Sequence, residues 1–126
     1  MLEQAEPLAR VLVVDDEAAL VAALCDTLND QRYHARGFTS ALEALAALRE
    51  SPFDVLLTDL SMPEMDGVAL LKAALEIEPD LVGVIMTGQG TVRTAVEAMR
   101  IGADDYILKP FDRDTMRAKF GAVAPA

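Results

Sequence analysis

Phe53-Asp54-Val55-Leu56-Leu57-Thr58-Asp59 reads as a strand buried on both faces that delivers a carboxylate to its C-terminal tip. A short continuous run of Val and Leu suits a strand covered on two sides, and such strands normally end on turn chemistry rather than on a charge. Leu60-Ser61-Met62-Pro63 and the turn Asp66-Gly67 follow. Two other runs end in the same polar way: Val11-Leu12-Val13-Val14 on Asp15-Asp16, and Val82-Gly83-Val84-Ile85-Met86 on Thr87. A fourth, Tyr106-Ile107-Leu108, ends on Lys109-Pro110. As parallel neighbours, these strands would gather three carboxylates, a hydroxyl and an ammonium at one edge. Open α/β sheets place their sites there.

The segments between the strands carry helical spacing. Leu20, Val21, Leu24 and Leu28 predict a first helix over about Glu17–Asp30, after a strand at Arg10–Val14. His34–Phe38 reads as a weaker strand near an edge. Thr39 or Ser40 can cap a second helix, with Glu43 as its capping-box partner and Leu42, Leu45 and Leu48 facing inward. Ser51-Pro52 stops it. Val68, Leu71 and Leu75 mark a third helix ending before Pro79, and Leu81–Thr87 is the fourth strand. The turn Gly88-Gln89-Gly90 leads to a helix with Val92, Ala95, Val96 and Met99 inside, closed by Gly102. Asp105–Leu108 is the fifth strand, and Arg113–Phe120 a last helix of barely two turns. Residues 1–9 read as a polar lead, 10–120 as one domain and 121–126 as a tail or the start of a linker. Strands alternating with helices predict parallel pairing through right-handed crossovers, hence a three-layer α/β sandwich.

Composition narrows the function classes. The 126 residues fit one domain with a sizeable core, and 52% hydrophobic content excludes a disordered chain. A net charge of −10 repels nucleic acid, so no direct nucleic-acid binding is expected. The single Cys25 cannot form an internal disulfide and reads as a packing residue in an apolar helical stripe. No apolar run reaches the roughly 18 residues of a membrane span, and the first ten residues lack a signal-peptide plan. The expectation is a soluble, cytoplasmic protein.

Singly, each polar tip has an ordinary explanation. Asp15 and Asp16 precede a helix, where Asp favours the positive dipole end, and Lys109 can be a surface loop residue. Jointly the pattern has a chemical logic. Two carboxylates 4 Å apart repel by about 4 kcal/mol at an effective dielectric of 20. A hard divalent cation relieves this, and oxygen ligands with room for water suit Mg²⁺. Phosphoryl transfer needs positioning and charge compensation more than covalent help. Asp59 would be the nucleophile that forms an acyl phosphate, Lys109 a second positive charge, and Thr87 a hydrogen-bond donor to a phosphoryl oxygen.

At Val13-Val14-Asp15-Asp16-Glu17, Asp59-Leu60-Ser61-Met62-Pro63-Glu64-Met65-Asp66-Gly67, Thr87-Gly88 and Lys109-Pro110-Phe111, the chain resembles the receiver domains of two-component response regulators. The resemblance runs from about Arg10 to Phe120. It implies a flavodoxin-like five-stranded parallel sheet of order 2-1-3-4-5. It also implies that Asp59 is the phosphoacceptor, receiving its phosphoryl group from a histidine kinase or phosphotransfer protein. Asp16 and Asp59 resemble direct Mg²⁺ ligands, Asp15 a ligand acting partly through water, and the Ser61 carbonyl the remaining protein ligand; Mn²⁺ can substitute. Thr87 and Lys109 resemble the pair that senses the phosphoryl group, and Tyr106 the switch aromatic that remodels the face of helix 4, strand 5 and helix 5. The Lys109-Pro110 bond resembles the family's cis peptide. The implied function is a phosphorylation switch, not an enzyme on other molecules, that controls an output domain or partner in transcription regulation. The receiver of a hybrid sensor histidine kinase and a stand-alone phosphorelay module are the alternatives.

Other readings fit less well. A haloacid-dehalogenase-type phosphatase wants a second Asp two residues after its nucleophile, where Ser61 stands. A flavodoxin wants a phosphate-cradling loop where Asp15-Asp16-Glu17 lies. Gly88-Gln89-Gly90 reads as a small-residue turn rather than a nucleotide loop, and His34 as a surface residue. Ser61 and Gln89 flank the path of attacking water and neither can act as a general base, so an intermediate to slow self-dephosphorylation is expected. The short last helix predicts only a weak homodimer.

Overall fold

Among the described residues, five strands alternate with five helices. In the computed structural model, residues 6–88 and 92–123 are described. The elements are β1 (Arg10–Val14), α1 (Ala18–Asp30), β2 (His34–Phe38), α2 (Ala41–Glu50), β3 (Val55–Asp59), α3 (Gly67–Ile77), β4 (Val82–Thr87), α4 (Val92–Arg100), β5 (Asp105–Leu108) and α5 (Arg113–Val123). All four strand pairings are parallel, in the order β2-β1-β3-β4-β5. The predicted α/β sandwich and its sheet order are both observed.

Alternation along each strand builds two cores. Val11, Val13, Val55, Leu57, Val84 and Met86 face one layer, where Val21, Leu24, Leu28, Met116 and Phe120 of α1 and α5 cover them. Leu12, Val14, Leu56 and Ile85 face the other, under Leu45, Leu48, Leu70 and Leu71 of α2 and α3 and Ala98 of α4. Every residue of β3 is buried, as its Val55-Leu56-Leu57 run predicts, and that burial extends to Thr58 and Asp59. Full burial of a Leu side chain such as Leu56 or Leu57 contributes about 1.5–3 kcal/mol. The tip carboxylate of β3 is therefore mounted on a fully buried strand.

Chain reversals follow local chemistry. Ser40 rather than Thr39 caps α2, accepting from the Glu43 amide at 3.2 Å. Asp66 caps α3 through the Ala69 amide at 2.8 Å. Gly102, at φ +127°, ends the turn after α4, and the Ala103 and Gly102 amides return to the carbonyls of Ala98 (3.0 Å) and Met99 (3.3 Å). That pair of bonds is a Schellman closure, which favours glycine at its left-handed position. On the edge strand β2, the His34 amide and Phe38 carbonyl bond to Ala9 and Asp15 at the ends of β1, so the backbone of Ala35 faces away from β1. Its amide is met by Asn29 Oδ1 at 2.9 Å.

Four sequence expectations need correction. Leu42 is 58% exposed rather than interior, because α2 rests on the sheet through Ala41, Ala44, Leu45 and Leu48. Val96 and Met99 are also exposed, and among the described side chains of α4 Ala98 is the buried one. The Val92 and Ala95 side chains, and residues Gln89 and Gly90, lie outside the described residues. Helix α5 spans 11 residues to Val123 rather than barely two turns, so Gly121–Val123 belong to the helix and not to a linker.

Candidate acidic phosphoacceptor site

The C-terminal ends of β1, β3, β4 and β5 converge, and each contributes its polar tip. Asp59 is the last residue of β3 and pairs in register with Met86 of β4. Asp15 directly follows β1, its amide donating to Phe38 O at 3.2 Å. Thr87 ends β4, and the Lys109 amide donates to its carbonyl at 2.8 Å. Parallel register thus brings together residues that lie far apart in sequence.

Lys109 Nζ lies 2.7 Å from Asp15 Oδ2 and 2.9 Å from Asp59 Oδ1. Asp15 Oδ1 accepts from the Glu17 amide at 2.9 Å, so each oxygen of this buried carboxylate is engaged. The Thr87 side chain is fully buried, and its hydroxyl donates to the Gly88 carbonyl at 3.2 Å. The Lys109-Pro110 bond is cis, as the resemblance implied. Gly67 is required by close approach: a Cβ there would lie 2.3 Å from the Asp59 carbonyl oxygen.

Electrostatics set the cluster's character. Burial pushes the Asp59 carboxyl above its ordinary value, and the charges of Asp15 and Asp16 push the same way against the pull of Lys109. Burial alone would depress the Lys109 ammonium, but its bonds to Asp15 and Asp59 outweigh that and hold it above its usual range. Among the described residues, Lys109 thus pairs with two carboxylates of a cluster of three. Donor oxygens of Asp15, Asp16 and Asp59 all lie within 4.8 Å of one another, with Asp16 exposed and the other two buried. An all-oxygen set open to solvent on one side fits a hard divalent cation that keeps part of its water.

Ser61 is exposed in the loop after β3, close in sequence to Asp59 but outside the Lys109 network. Tyr106 stands apart from the acidic cluster, half-buried on β5 opposite Ile85. Lys119 Nζ sits 5.3 Å from its ring centroid and 3.1 Å from Asp105 Oδ1. His34 is exposed on β2, and Cys25 is half-buried, its thiol pushed up by burial with Asp26 adding to the effect. Neither residue joins the cluster.

Two features escaped sequence reasoning. A groove of about 550 Å³ opens beside Lys109, between α1 and the start of α5, lined by Leu20, Leu24, Thr27, Phe111 and Met116. Phe111, an aromatic directly after Lys109-Pro110, was the available sign of it. Glu64, in the loop after β3, bonds to the start of α2: Ser40 Oγ donates to its Oε1 at 2.8 Å and the Leu42 amide at 3.4 Å. No periodicity announces that contact.

Comparison with known proteins places this geometry. The Escherichia coli K12 transcriptional regulatory protein ZraR is 41% identical over 108 residues, a match covering 86% of this chain and 24% of ZraR. The chain thus spans about a quarter of the length of that relative. The solution structure of the beryllofluoride-activated NtrC4 receiver domain dimer superposes with a TM-score of 0.84 at 35% identity, covering 90% of this chain and 93% of that one. Vibrio cholerae chemotaxis protein CheY4 gives 0.86 at 28% identity, covering 91% and 98%. Among the described residues no helix is long and apolar enough to cross a membrane. The profile of the response regulator receiver domain matches residues 11–120, and the chain belongs to that family of two-component phosphoacceptor domains.

Proposed function

We propose that Asp59 is the residue phosphorylated, receiving a phosphoryl group from the phosphohistidine of a kinase or phosphotransfer protein. The observation that carries this reading is the double ion pair of Lys109 with Asp15 and Asp59 inside a three-carboxylate cluster. A carboxylate oxygen of Asp59 attacks phosphorus, the phosphorus–nitrogen bond breaks, and the imidazole leaves with the electron pair and takes a proton from solvent. Lys109 stays paired to the new acyl phosphate and offsets its charge. Asp16 and Asp59 would hold Mg²⁺ directly, Asp15 partly through water, with the Ser61 carbonyl as a further ligand. When bound, the metal neutralises the crowded carboxylates and the phosphoryl oxygens.

Readout follows from Thr87 and Tyr106. The Thr87 hydroxyl turns from the Gly88 carbonyl toward a phosphoryl oxygen, and Tyr106 repacks beneath α4. The exposed side chains of Val96, Met99 and Leu108 make the α4–β5–α5 face apolar enough to bind a second copy or a partner. Weak dimerisation was expected from a short α5; with 11 residues in that helix the premise falls, and the dimeric NtrC4 receiver favours association on activation. Relatives named as transcriptional regulators favour a transcriptional output over the receiver of a hybrid sensor kinase. The cytoplasm, where such kinases present their phosphohistidine, is the proposed setting.

Intact mass after incubation with acetyl phosphate and Mg²⁺ tests the chemistry. One added phosphoryl group, absent in Asp59→Asn, is the expected result. No gain in the unsubstituted chain, or an equal gain in Asp59→Asn, would overturn it.

A further inference from the structure

We propose that Glu64 is a positioning residue for the phosphoacceptor site: its carboxylate latches the loop carrying Ser61 to the first turn of α2. This rests on the metal-assisted reading above and adds a residue to it. The loop Leu60–Asp66 joins β3 to α3 and starts directly after Asp59 of the acidic cluster. Its base is well fixed. The Leu60 amide donates to Met86 O and the Gly67 amide to Leu60 O, both at 2.8 Å. Met62 and Met65 pack against the core beneath α2 and α3.

The tip is held differently. Glu64, three residues after Ser61, reaches α2 rather than its own helix. Ser40 Oγ donates to Glu64 Oε1 at 2.8 Å while accepting from the Glu43 amide at 3.2 Å. Amide, hydroxyl and carboxylate thus form one directed chain, and the Leu42 amide adds a second donor at 3.4 Å. The bonds from Ser40 and then from the Leu42 amide hold the Glu64 carboxyl below its ordinary range. Its anion also sits at the positive end of the α2 dipole. Helix α2 is anchored through buried Ala41, Ala44, Leu45, Ala47 and Leu48, so the latch ties the loop to a rigid body. A loop pinned at base and tip presents the Ser61 carbonyl in a set place before any ligand arrives, which is how positioned groups lower the entropy lost on binding.

A helix-capping role alone would change stability and leave metal affinity untouched. The test is Mg²⁺ binding by titration calorimetry on the full chain, with acetyl phosphate phosphorylation rates measured at low and saturating Mg²⁺. Glu64→Ala is expected to weaken Mg²⁺ binding about tenfold, the lower range for loss of a group that orients a metal ligand. Its phosphorylation should slow at low Mg²⁺ and recover at saturation. Glu64→Gln keeps an oxygen for both donors and should stay within about twofold of the unsubstituted chain, on the same scale. Ser40→Ala should weaken binding in the same direction as Glu64→Ala, and the double variant should be no worse than the weaker single one. Unchanged Mg²⁺ affinity in Glu64→Ala, or equal loss in Glu64→Gln, would overturn the latch while leaving the phosphoacceptor reading intact. An unsubstituted chain that neither binds Mg²⁺ nor accepts phosphate would overturn both.

Discussion

Lys109 and Asp59 meet at 2.9 Å although 50 residues separate them in sequence. One is the first residue after β5 and the other the last of β3, with β4 between them in the sheet. Only a long, flexible side chain spans that gap. Among the described residues it is the one cation paired with Asp15 and Asp59, so the cluster is held together by a partner whose charge is outnumbered.

A divalent cation should therefore stabilise the fold. A ligand that binds only the native state adds about 2.7 kcal/mol at a hundredfold excess over its dissociation constant. Thermal melts with and without millimolar Mg²⁺ measure this. Asp16→Ala should abolish the increase and Asp59→Asn should weaken it; identical melting temperatures for the unsubstituted chain would count against a metal site.

Asp59→Asn should stabilise the metal-free protein at neutral pH. The Asp59 carboxyl is raised in the fold, so the stability linked to its protonation is present below its unfolded value and is lost as pH rises through the folded one. The gain from Asn is thus absent in acid, where the carboxyl is neutral, and appears as pH climbs through the folded value. Urea unfolding at pH 4 and pH 7 in a chelator gives the comparison, and an Asn advantage that is equal at both would contradict it.

Lys109→Met should destabilise the metal-free chain by about 1–3 kcal/mol, less than a fully buried pair because the lysine is partly exposed. It should also slow phosphorylation even at saturating Mg²⁺. Stability that matches the unsubstituted chain would mean that Asp15 and Asp59 are already well solvated.

Thr87→Ala should still accept the phosphoryl group yet respond poorly to it. Amide chemical shifts across α4 and β5, recorded before and after beryllofluoride, report the response. Full-size shifts in this variant would remove Thr87 from the coupling.

Gly67→Ala should damage both fold and chemistry. The new Cβ would meet backbone, the Asp59 carbonyl oxygen at 2.3 Å, and backbone cannot rotate away as a side chain can. A loss of about 1–3 kcal/mol, the usual range for overpacking, is expected together with slower phosphorylation. Denaturant unfolding and acetyl phosphate kinetics check the two effects separately.

Much of the site was legible because its residues break a rule of their own strands. Val55–Thr58 is apolar enough to mark a buried strand, so the charge on Asp59 stood out, and the same contrast exposed Asp15 and Lys109. Helix faces were harder. Val96 and Met99 were assigned inward on apolar character at helical spacing, yet α4 buries Ala98 and leaves both of them exposed. An apolar face meant for a partner has the same sequence signature as one meant for the core. The end of α5 was misread as well. Residues 121–126 were read as a tail or linker, whereas the helix runs on to Val123. The Glu64–Ser40 bond could not be read at all, since its partners lie 24 residues apart on different elements.

The Asn29 side chain that occupies the outward amide of Ala35 has a bearing on solubility. Strand β2 is an outer margin of the sheet, and an uncovered margin invites a foreign strand to dock and extend the ladder. Filling the outward donor near the start of β2 from within the same chain makes that docking lose a hydrogen bond. Unscheduled aggregation along the sheet is thereby discouraged without any change to the helical surfaces proposed above for regulated association.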